Sequence, residues 1–362
     1  MAEKHGALSI NSDNIFPIIK KWLYSDHDIF YRELISNGCD AITKLKKLDM
    51  MGEYELPEGY KPRVDVIVDP DAKTIQFIDN GVGMTADEVE EYINQIAFSG
   101  ATDFIAKYKD KTNDDQIIGH FGLGFYSVFM IADKVTIDTL SFREGATPVR
   151  WESEDGMAFT MTEGTRTARG TTITLHVSEA ESEFLEVWRV REVLDRYCSF
   201  MSVPIYLDEI KEEEAKVTGE GEGAEEKPEA EKEAPKPIND TQPLYTRAPQ
   251  DCTDEDYKQF YRKVFHEYDD PLFWIHLNVD YPFKLKGILY FPKIKEQFGG
   301  IEGQIKLYSG QVFVADNIKE VIPEFLMLLK GVIDCADFPL NVSRSFLQND
   351  GYVRRISNHI TK

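Results

Sequence analysis

A strongly acidic segment divides this chain into two parts of ordinary composition. Residues 209–236 contain eleven Glu and five Lys, a net charge of −6 (5 − 11), and no aromatic residue. A segment with so little apolar surface cannot offset the conformational entropy that it would lose on ordering. We therefore predict a charged, flexible linker over 209–240 between two folded units. A charged surface helix is the alternative, which the glycines within 219–223 disfavour.

The composition of the chain excludes several classes of protein. Hydrophobic residues at 42% and aromatic residues at 12% can form folded cores, which excludes wholesale disorder, a collagen repeat and a pure coiled coil. A net charge of −23 disfavours phosphate backbones and acidic lipids, so we predict neither a nucleic-acid nor a membrane partner. The four cysteines form no CxxC pair, and the first residues do not resemble a signal peptide, which together predict a cytoplasmic location.

Hydrophobic periodicity before the linker predicts an α+β unit. Three- and four-residue spacing predicts helices over 14–25 and 28–49, and alternation predicts a β-hairpin around 64–68 and 75–77. Capping-box patterns that begin at Thr85 and Ser178 predict two further helix starts. The remaining predicted strands, which complete a mixed or antiparallel sheet with helices on one face, are 134–140, 148–153, 157–162 and 171–177.

The part of the chain after the linker predicts a second unit of helices and strands. Its predicted helices are 253–265 and 323–331, and its predicted strands are 273–280, 285–291, 304–308 and 311–315. The sequence then stops inside a basic helical stretch, RRISNHITK, so we expect further protein to follow.

Two motifs place polar groups where a ligand could reach them. Glu33, Asn37 and Asp40 share one narrow face of the second predicted helix, although a solvated helix face is the alternative for this feature alone. Asp79 ends a predicted strand and is followed by the glycines of DNGVGM. Glycines there allow a sharp turn and a close approach of the backbone to a ligand.

A third motif is the glycine-rich run GHFGLG at 119–124, which precedes an apolar helix predicted over 125–132. Backbone N–H groups at such a helix start suit phosphate oxygens. The spacing GxxGxG differs from the dinucleotide-binding GxGxxG, and the sequence contains no GxxxxGK[ST]. Any nucleotide site in this chain must therefore be of another type.

The three motifs, in this order, resemble the ATP-binding fold that gyrase, the ninety-kilodalton heat-shock chaperones, histidine kinases and MutL-type repair proteins share. The segments RELISNGCDAI, DNGVGM, GHFGLGFYSVFMIADKV and RGTTITLHV are similar to the chaperone branch. After the linker, KLYSGQVFVADNIKE and DFPLNVSRSFLQ resemble the middle domain of that branch. The resemblance implies a GHKL (Bergerat-type) ATPase α/β sandwich over 1–208, followed by part of an α/β middle domain over 241–362.

The resemblance also implies the activity and the partners. A chaperone of this family, here of the bacterial type, binds ATP with Mg²⁺ and hydrolyses it slowly to ADP and phosphate, which drives conformational changes on unfolded or partly folded client proteins. The full-length protein is expected to be a homodimer, and a monomer is left open for this chain. Two alternatives remain from the residues: a DNA-enzyme subunit of the gyrase or MutL kind, and a nucleotide-binding module without turnover.

The matching positions imply a role for each site residue. Glu33 matches the general base, Asn37 the magnesium-holding amide, and Asp79 the acceptor for the adenine amino group, supported by Thr171. A mobile lid is expected from Asn94 to Gly124. Arg344 and Gln348 match middle-domain residues that reach the terminal phosphate. The residues assigned to ATP binding are Asn37, Asp40, Asp79, Gly83, Met84, Asn94, Gly119, Gly122, Gly124, Phe125 and Thr171.

Overall fold

The computed structural model describes residues 27–95, 118, 123–154, 156–210, 235–281, 284–293, 304–317, 328–338, 340 and 351–361. Several predictions lie outside these ranges. They are the helix at 14–25, Gly119 and Gly122, most of the lid, the centre of the linker, and the loop with Arg344 and Gln348.

The first unit is built on one mixed sheet. Its strands are β1 (Val64–Asp69), β2 (Thr74–Asp79), β3 (Ala132–Leu140), β4 (Val149–Ser153), β5 (Thr160–Glu163), β6 (Gly170–Val177) and β7 (Ile205–Glu209). The strand order is β5-β4-β3-β6-β2-β1-β7, in which β1 and β7 are parallel and the other pairs are antiparallel. The helices are α1 (Ile29–Met50), α2 (Ala86–Tyr92) and α3 (Val187–Cys198), with 3₁₀ helices at Gly124–Met130 and Glu179–Leu185.

Helix α1 buries the apolar face that its spacing predicted. Phe30, Leu34 and Leu45 are buried, and the helix packs against β1, β2 and α3. Asp28 at the N-cap does not cap the helix, because its carboxylate accepts hydrogen bonds from Nη2 of Arg189 at 2.7 and 2.9 Å. This ion pair ties the start of α1 to α3.

The two predicted capping boxes have different outcomes. At Thr85 the prediction is confirmed, because the hydroxyl accepts from the N–H of Glu88 and the Glu88 carboxylate accepts from the N–H of Thr85. At Ser178 it is wrong, since this hydroxyl makes no cap bond and the chain forms a 3₁₀ helix with a kink at Glu181. The Glu181 carboxylate lies 3.2 Å from Nδ1 of His27 instead.

The apolar helix predicted over 125–132 also needs correction. The segment forms a 3₁₀ helix, Gly124–Met130, and Ala132 already belongs to β3. Every residue from Phe125 to Met130 is buried, so packing against α1 and β3 decides this tighter geometry.

The second unit contains a five-stranded sheet. Its strands are β8 (Phe273–Val279), β9 (Leu285–Phe291), β10 (Gln304–Ser309), β11 (Val312–Asp316) and β12 (Lys330–Cys335), in the order β11-β10-β12-β9-β8. Helix α4 (Asp254–Phe265) follows a capping box at Thr253, and helix α5 (Gly351–Thr361) comes last in the described ranges. None of the helices in those ranges is both long and apolar enough for a bilayer crossing.

The first part of the helix predicted over 323–331 lies outside the described residues, and the prediction is wrong at its end, because Lys330 and Gly331 begin β12. This strand pairs with β10 on one side and β9 on the other. Val332 and Ile333 are fully buried in the sheet. Pairing on both edges therefore overrides the local helical pattern at these residues.

Aromatic side chains join the two units. The Tyr197 ring at the end of α3 lies 5.8 Å from the Phe313 ring of β11, and the Phe200 ring lies 5.7 Å from that of Phe260 in α4. The last residues of the predicted linker also pack on the first unit. Asn239 is buried, accepts from the N–H of Ile205 at 2.8 Å and donates to the carbonyls that precede β7.

Candidate functional site

Glycines allow α1 to lie directly against the end of β2. A β-carbon at Gly38 would lie 3.2 Å from Cγ2 of Val64 and 3.4 Å from Cβ of Asp79. A β-carbon at Gly81 would lie 2.5 Å from the carbonyl carbon of Ala41, a separation that no larger residue could adopt without moving α1. The contact places Asp79 beside the polar face of the helix.

Asp79 presents a buried carboxylate at the end of β2. Its Oδ1 accepts from the N–H of Gly81 at 2.8 Å. Burial raises the pKa of Asp79 to about 6, while the N–H groups of Gly81 and Thr171 and the charges of Arg166 and Arg169 oppose that rise. A carboxylate has about four lone-pair positions, so this group keeps acceptor capacity for a ligand donor.

Two threonines support the turn after Asp79. Thr171 lies opposite Asp79 in the β2–β6 register, and its hydroxyl is 3.0 Å from the hydroxyl of Thr139. Thr139, fully buried in β3, also accepts from the N–H of Met84 at 2.9 Å. Thr139 was not predicted from the sequence, because its place beside the site depends on the pairing of β3 with β6.

Gly83 is required by the backbone of this turn. Its φ is +63°, in the left-handed region, and a β-carbon there would lie 1.9 Å from the carbonyl oxygen of Leu140. The backbone of the DNGVGM segment is therefore packed directly onto the end of β3.

Glu33 faces the start of the 3₁₀ helix at Gly124. A β-carbon at Gly124 would lie 2.4 Å from Oε2 of Glu33, so the carboxylate touches this glycine's backbone. The other oxygen, Oε1, accepts from Nε and Nη2 of Arg32 at 3.0 and 2.9 Å. Both side chains are buried, and the Arg32 guanidinium lies over the Tyr197 ring at 5.6 Å. Sequence reasoning missed Arg32, for which adjacency to Glu33 was the only signal.

Asn37 and Asp40 complete the polar face of α1. Asn37 is exposed between residues that are otherwise buried, so its amide can be reached from solvent. Asp40 is buried, and its Oδ1 accepts from the N–H of Ile118 at 2.7 Å. Asp40 thus holds the chain just before the glycine-rich run, a structural contact that the sequence did not predict.

Comparison with known proteins identifies the family. Residues 31–155 match the histidine kinase-, DNA gyrase B-, and HSP90-like ATPase family, and residues 227–362 match the Hsp90 protein family. The chain is 50% identical over 360 residues to the chaperone protein HtpG of Porphyromonas gingivalis, which covers 99% of this chain and 50% of that protein. This chain belongs to the Hsp90 chaperone family.

Other Hsp90-family relatives agree. The HtpG chaperone of Bacteroides thetaiotaomicron is 50% identical to this chain, and the match covers 99% of this chain and 50% of that protein. The HtpG chaperone of Escherichia coli is 39% identical, and the match covers 94% of this chain and 53% of that protein. The resemblance and the α+β fold class predicted from the sequence are confirmed, as is the presence of a nucleotide-binding ATPase domain. The chain spans about half the length of the curated relatives it matches.

Two residues assigned to ATP binding, Asn94 and Phe125, have side chains that contact Trp151 in this Hsp90-family structure. Oδ1 of Asn94 accepts from Nε1 of Trp151 at 2.9 Å. The Phe125 ring is buried with its centroid 5.9 Å from that of Trp151, which leaves its backbone N–H as the group that could face a phosphate. Both assignments stay predictions, as do those for Gly119, Gly122, Arg344 and Gln348 outside the described residues.

The geometry at Gly124 gives a test of this Hsp90-family site. We expect Gly124→Ala to fold, because the atom nearest its new methyl group is Oε2 at the end of the Glu33 side chain, which can turn away from it. The Glu33 carboxylate would then be displaced. Phosphate release should fall at least about tenfold while ADP affinity changes less, since the loss is confined to the reacting geometry. Turnover and ADP titration on the same sample measure this split, and equal losses in both would contradict it.

Proposed function

We propose that this chain is the nucleotide-binding part of an ATP-dependent molecular chaperone that hydrolyses ATP slowly and acts on unfolded or partly folded client proteins in the cytoplasm. The observation that carries the proposal is the position of the buried Asp79 carboxylate beside the polar face of α1, which the close-packed glycines Gly38 and Gly81 allow. This arrangement offers an acceptor at one end and a base and an amide at the other.

The donor set of the described residues fits adenine and phosphate chemistry. Asp79 would accept from the adenine amino group, and Thr171 and the backbone at Gly83 would support that end of the base. The exposed Asn37 amide oxygen would hold Mg²⁺, which when bound neutralises phosphate charge. Glu33 would polarise the attacking water, and its contacts with Arg32 and Gly124 hold it in place for that role.

The wider assembly belongs to the same proposal. Closure of a lid over 94–124 would exclude water from the site, and Arg344 and Gln348 would then approach the terminal phosphate from the second unit. An arginine so placed would stabilise charge on the γ-phosphate in the closed state. Homodimerisation is proposed for the full-length protein.

The test is a calorimetric titration with ATP and with ADP in magnesium buffer, together with phosphate release from the same sample. Binding with slow turnover is expected, because positioning and charge neutralisation supply most of the rate in phosphoryl transfer. Binding without turnover would favour the nucleotide-binding module, and an absence of binding would overturn the proposal. Suppressed aggregation of an unfolded client protein by the full-length protein with ATP would test the chaperone step.

Removal of the Asn37 amide should show which part of the nucleotide affinity depends on magnesium. We expect Asn37→Ala to lose the part of ADP affinity that depends on magnesium, because alanine supplies no oxygen ligand. ADP titrations with magnesium and with a chelator measure this difference. The fold should be unaffected, since Asn37 is exposed, and an equal loss of affinity in both buffers would contradict the metal role.

A further inference from the structure

A pair of arginines lies on the outer side of the turn that carries Asp79. Arg166 and Arg169 are half-buried and immediately precede β6. Gly170 between this segment and the strand has φ +119°, and a β-carbon there would lie 2.1 Å from the carbonyl oxygen of Asp79. The backbone before β6 therefore touches the turn, and its arginines reach around it.

Three consecutive carbonyl oxygens of the turn accept hydrogen bonds from the two guanidinium groups. Nη2 of Arg166 donates to the carbonyl of Asp79 at 3.0 Å. Arg169 donates from Nη2 to the carbonyl of Asn80 at 3.2 Å and from Nε to that of Gly81 at 3.0 Å. These bonds hold the peptide carbonyls of Asp79, Asn80 and Gly81. The N–H of Gly81 in turn donates to the Asp79 carboxylate.

We propose that Arg169, assisted by Arg166, is a positioning residue for adenine-nucleotide binding, which fixes the Asp79–Gly81 turn so that the Asp79 carboxylate faces the adenine. The inference rests on the proposed function, because it assumes that Asp79 receives the base. The two guanidinium groups donate to peptide carbonyls of the turn rather than to the carboxylate, so they act on Asp79 through the backbone of the turn and through their charge.

Two tyrosines hold Arg169 in the orientation that this role needs. Nη1 donates to the hydroxyl of Tyr54 at 2.5 Å, and the guanidinium lies over the rings of Tyr54 and Tyr60 at 5.4 and 5.2 Å. Tyr60 itself donates to the carbonyl of Asn80 at 3.1 Å. A planar guanidinium can make three such bonds at once while stacked on rings, whereas the single ammonium of a lysine cannot.

The positive charges of Arg166 and Arg169 also favour the ionised Asp79 carboxylate that the adenine amino group would need. Both arginines lower the pKa of Asp79 and so oppose the effect of burial, which leaves that pKa at about 6. The other titratable groups coupled to this carboxylate are Tyr60 and Cys39, whose pKa values are raised by burial, so they are neutral near pH 7. The guanidinium groups are thus the charges that keep Asp79 ionised among the described residues.

The experiment compares Arg169→Lys and Arg169→Met with a matched control, Arg262→Met, whose guanidinium binds Asp270 in the second unit. ADP is titrated calorimetrically from pH 5 to 8, with magnesium and with a chelator. We expect Arg169→Lys to lose about three- to tenfold in ADP affinity through lost hydrogen bonds. Its pH midpoint should stay near that of the parent chain, because lysine keeps the charge.

Arg169→Met should lose at least as much affinity, and its pH midpoint should move to higher pH by about half a unit, because a charge that favours the ionised form is gone. The fractional loss should be the same with and without magnesium, unlike that of Asn37→Ala. Arg262→Met should bind as the parent does. Thermal unfolding of each variant shows whether it is folded, and the lysine variant carries the test if the methionine variant is not.

Three results would overturn the inference, and they are distinguishable. If the parent chain binds ADP and both Arg169 variants keep its affinity and pH midpoint, the positioning role is wrong while the proposed function stands. If Asp79→Asn binds ADP as the parent does, the adenine assignment is wrong and the inference falls with it. A loss of affinity that appears only with magnesium would place Arg169 at the phosphate end and would also contradict the proposal.

Discussion

Glu33→Gln should bind ATP nearly as the parent chain does and hydrolyse it about 10²- to 10⁴-fold more slowly, the usual contribution of a general base. The amide has almost the same shape as the carboxylate and can still accept from Arg32, so the packing against Gly124 should persist. It cannot take a proton from the attacking water. Single-turnover phosphate release at saturating ATP measures the chemical step without interference from product release.

A matched control for this variant is Glu192→Gln, which removes an exposed carboxylate on α3 that pairs with Arg189. Its turnover should equal that of the parent chain, because Glu192 is exposed and Arg189 keeps its ion pair with Asp28. Parental turnover in Glu33→Gln would remove Glu33 from the role of base. A loss of ATP affinity as large as the loss of turnover would instead indicate a binding role.

Asp79→Asn should weaken ADP and ATP binding by roughly ten- to a hundredfold, because the adenine amino group would face an amide that can present a donor. Leaving such a buried donor without its acceptor costs about 1–3 kcal/mol. The control is Asp65→Asn, on the neighbouring strand β1, where the carboxylate pairs with Arg63 near solvent. Unchanged nucleotide affinity in Asp79→Asn, measured by calorimetry, would exclude Asp79 from the site.

The fold should tolerate this substitution, and the direction of the pKa shift explains why. Burial raises the pKa of Asp79 to about 6, above the value of about 3.9 for an unfolded aspartate. The folded chain therefore binds the proton more tightly, and this group lowers the free energy of unfolding as pH rises from about 4 to above 6. Asparagine has no charge to bury at pH 7, so Asp79→Asn should not unfold at a lower temperature than the parent chain at that pH.

The same pKa predicts how ADP binding depends on pH. An ionised Asp79 is the better acceptor for the adenine amino group, so affinity should be complete only well above pH 6 and should decline as the pH falls through about 6. This decline should be absent in Asp79→Asn, which has no proton to bind. Calorimetric titrations of both proteins between pH 5 and 8 make the comparison, and an identical decline in the two would assign the titration to another group.

The sequence alone determined the features that depend on neighbours along the chain. The polar face of α1 with Glu33, Asn37 and Asp40 follows from helical spacing, and the β1–β2 hairpin that ends in Asp79 follows from alternation. The capping box at Thr85 is a contact between residues three apart. Such patterns depend on the geometry of residues close together in the chain, so they can be predicted from a single sequence.

Only the tertiary structure decided which distant residues serve the site. Thr139 and Arg169 reach the Asp79–Met84 segment because β3, β6 and β2 pair in one register, and Lys330 begins a strand because β12 lies between β9 and β10. The close packing of α1 on Gly81 has the same origin. These contacts join residues many positions apart, and their energy depends on which strands pair, a choice that local propensity does not contain.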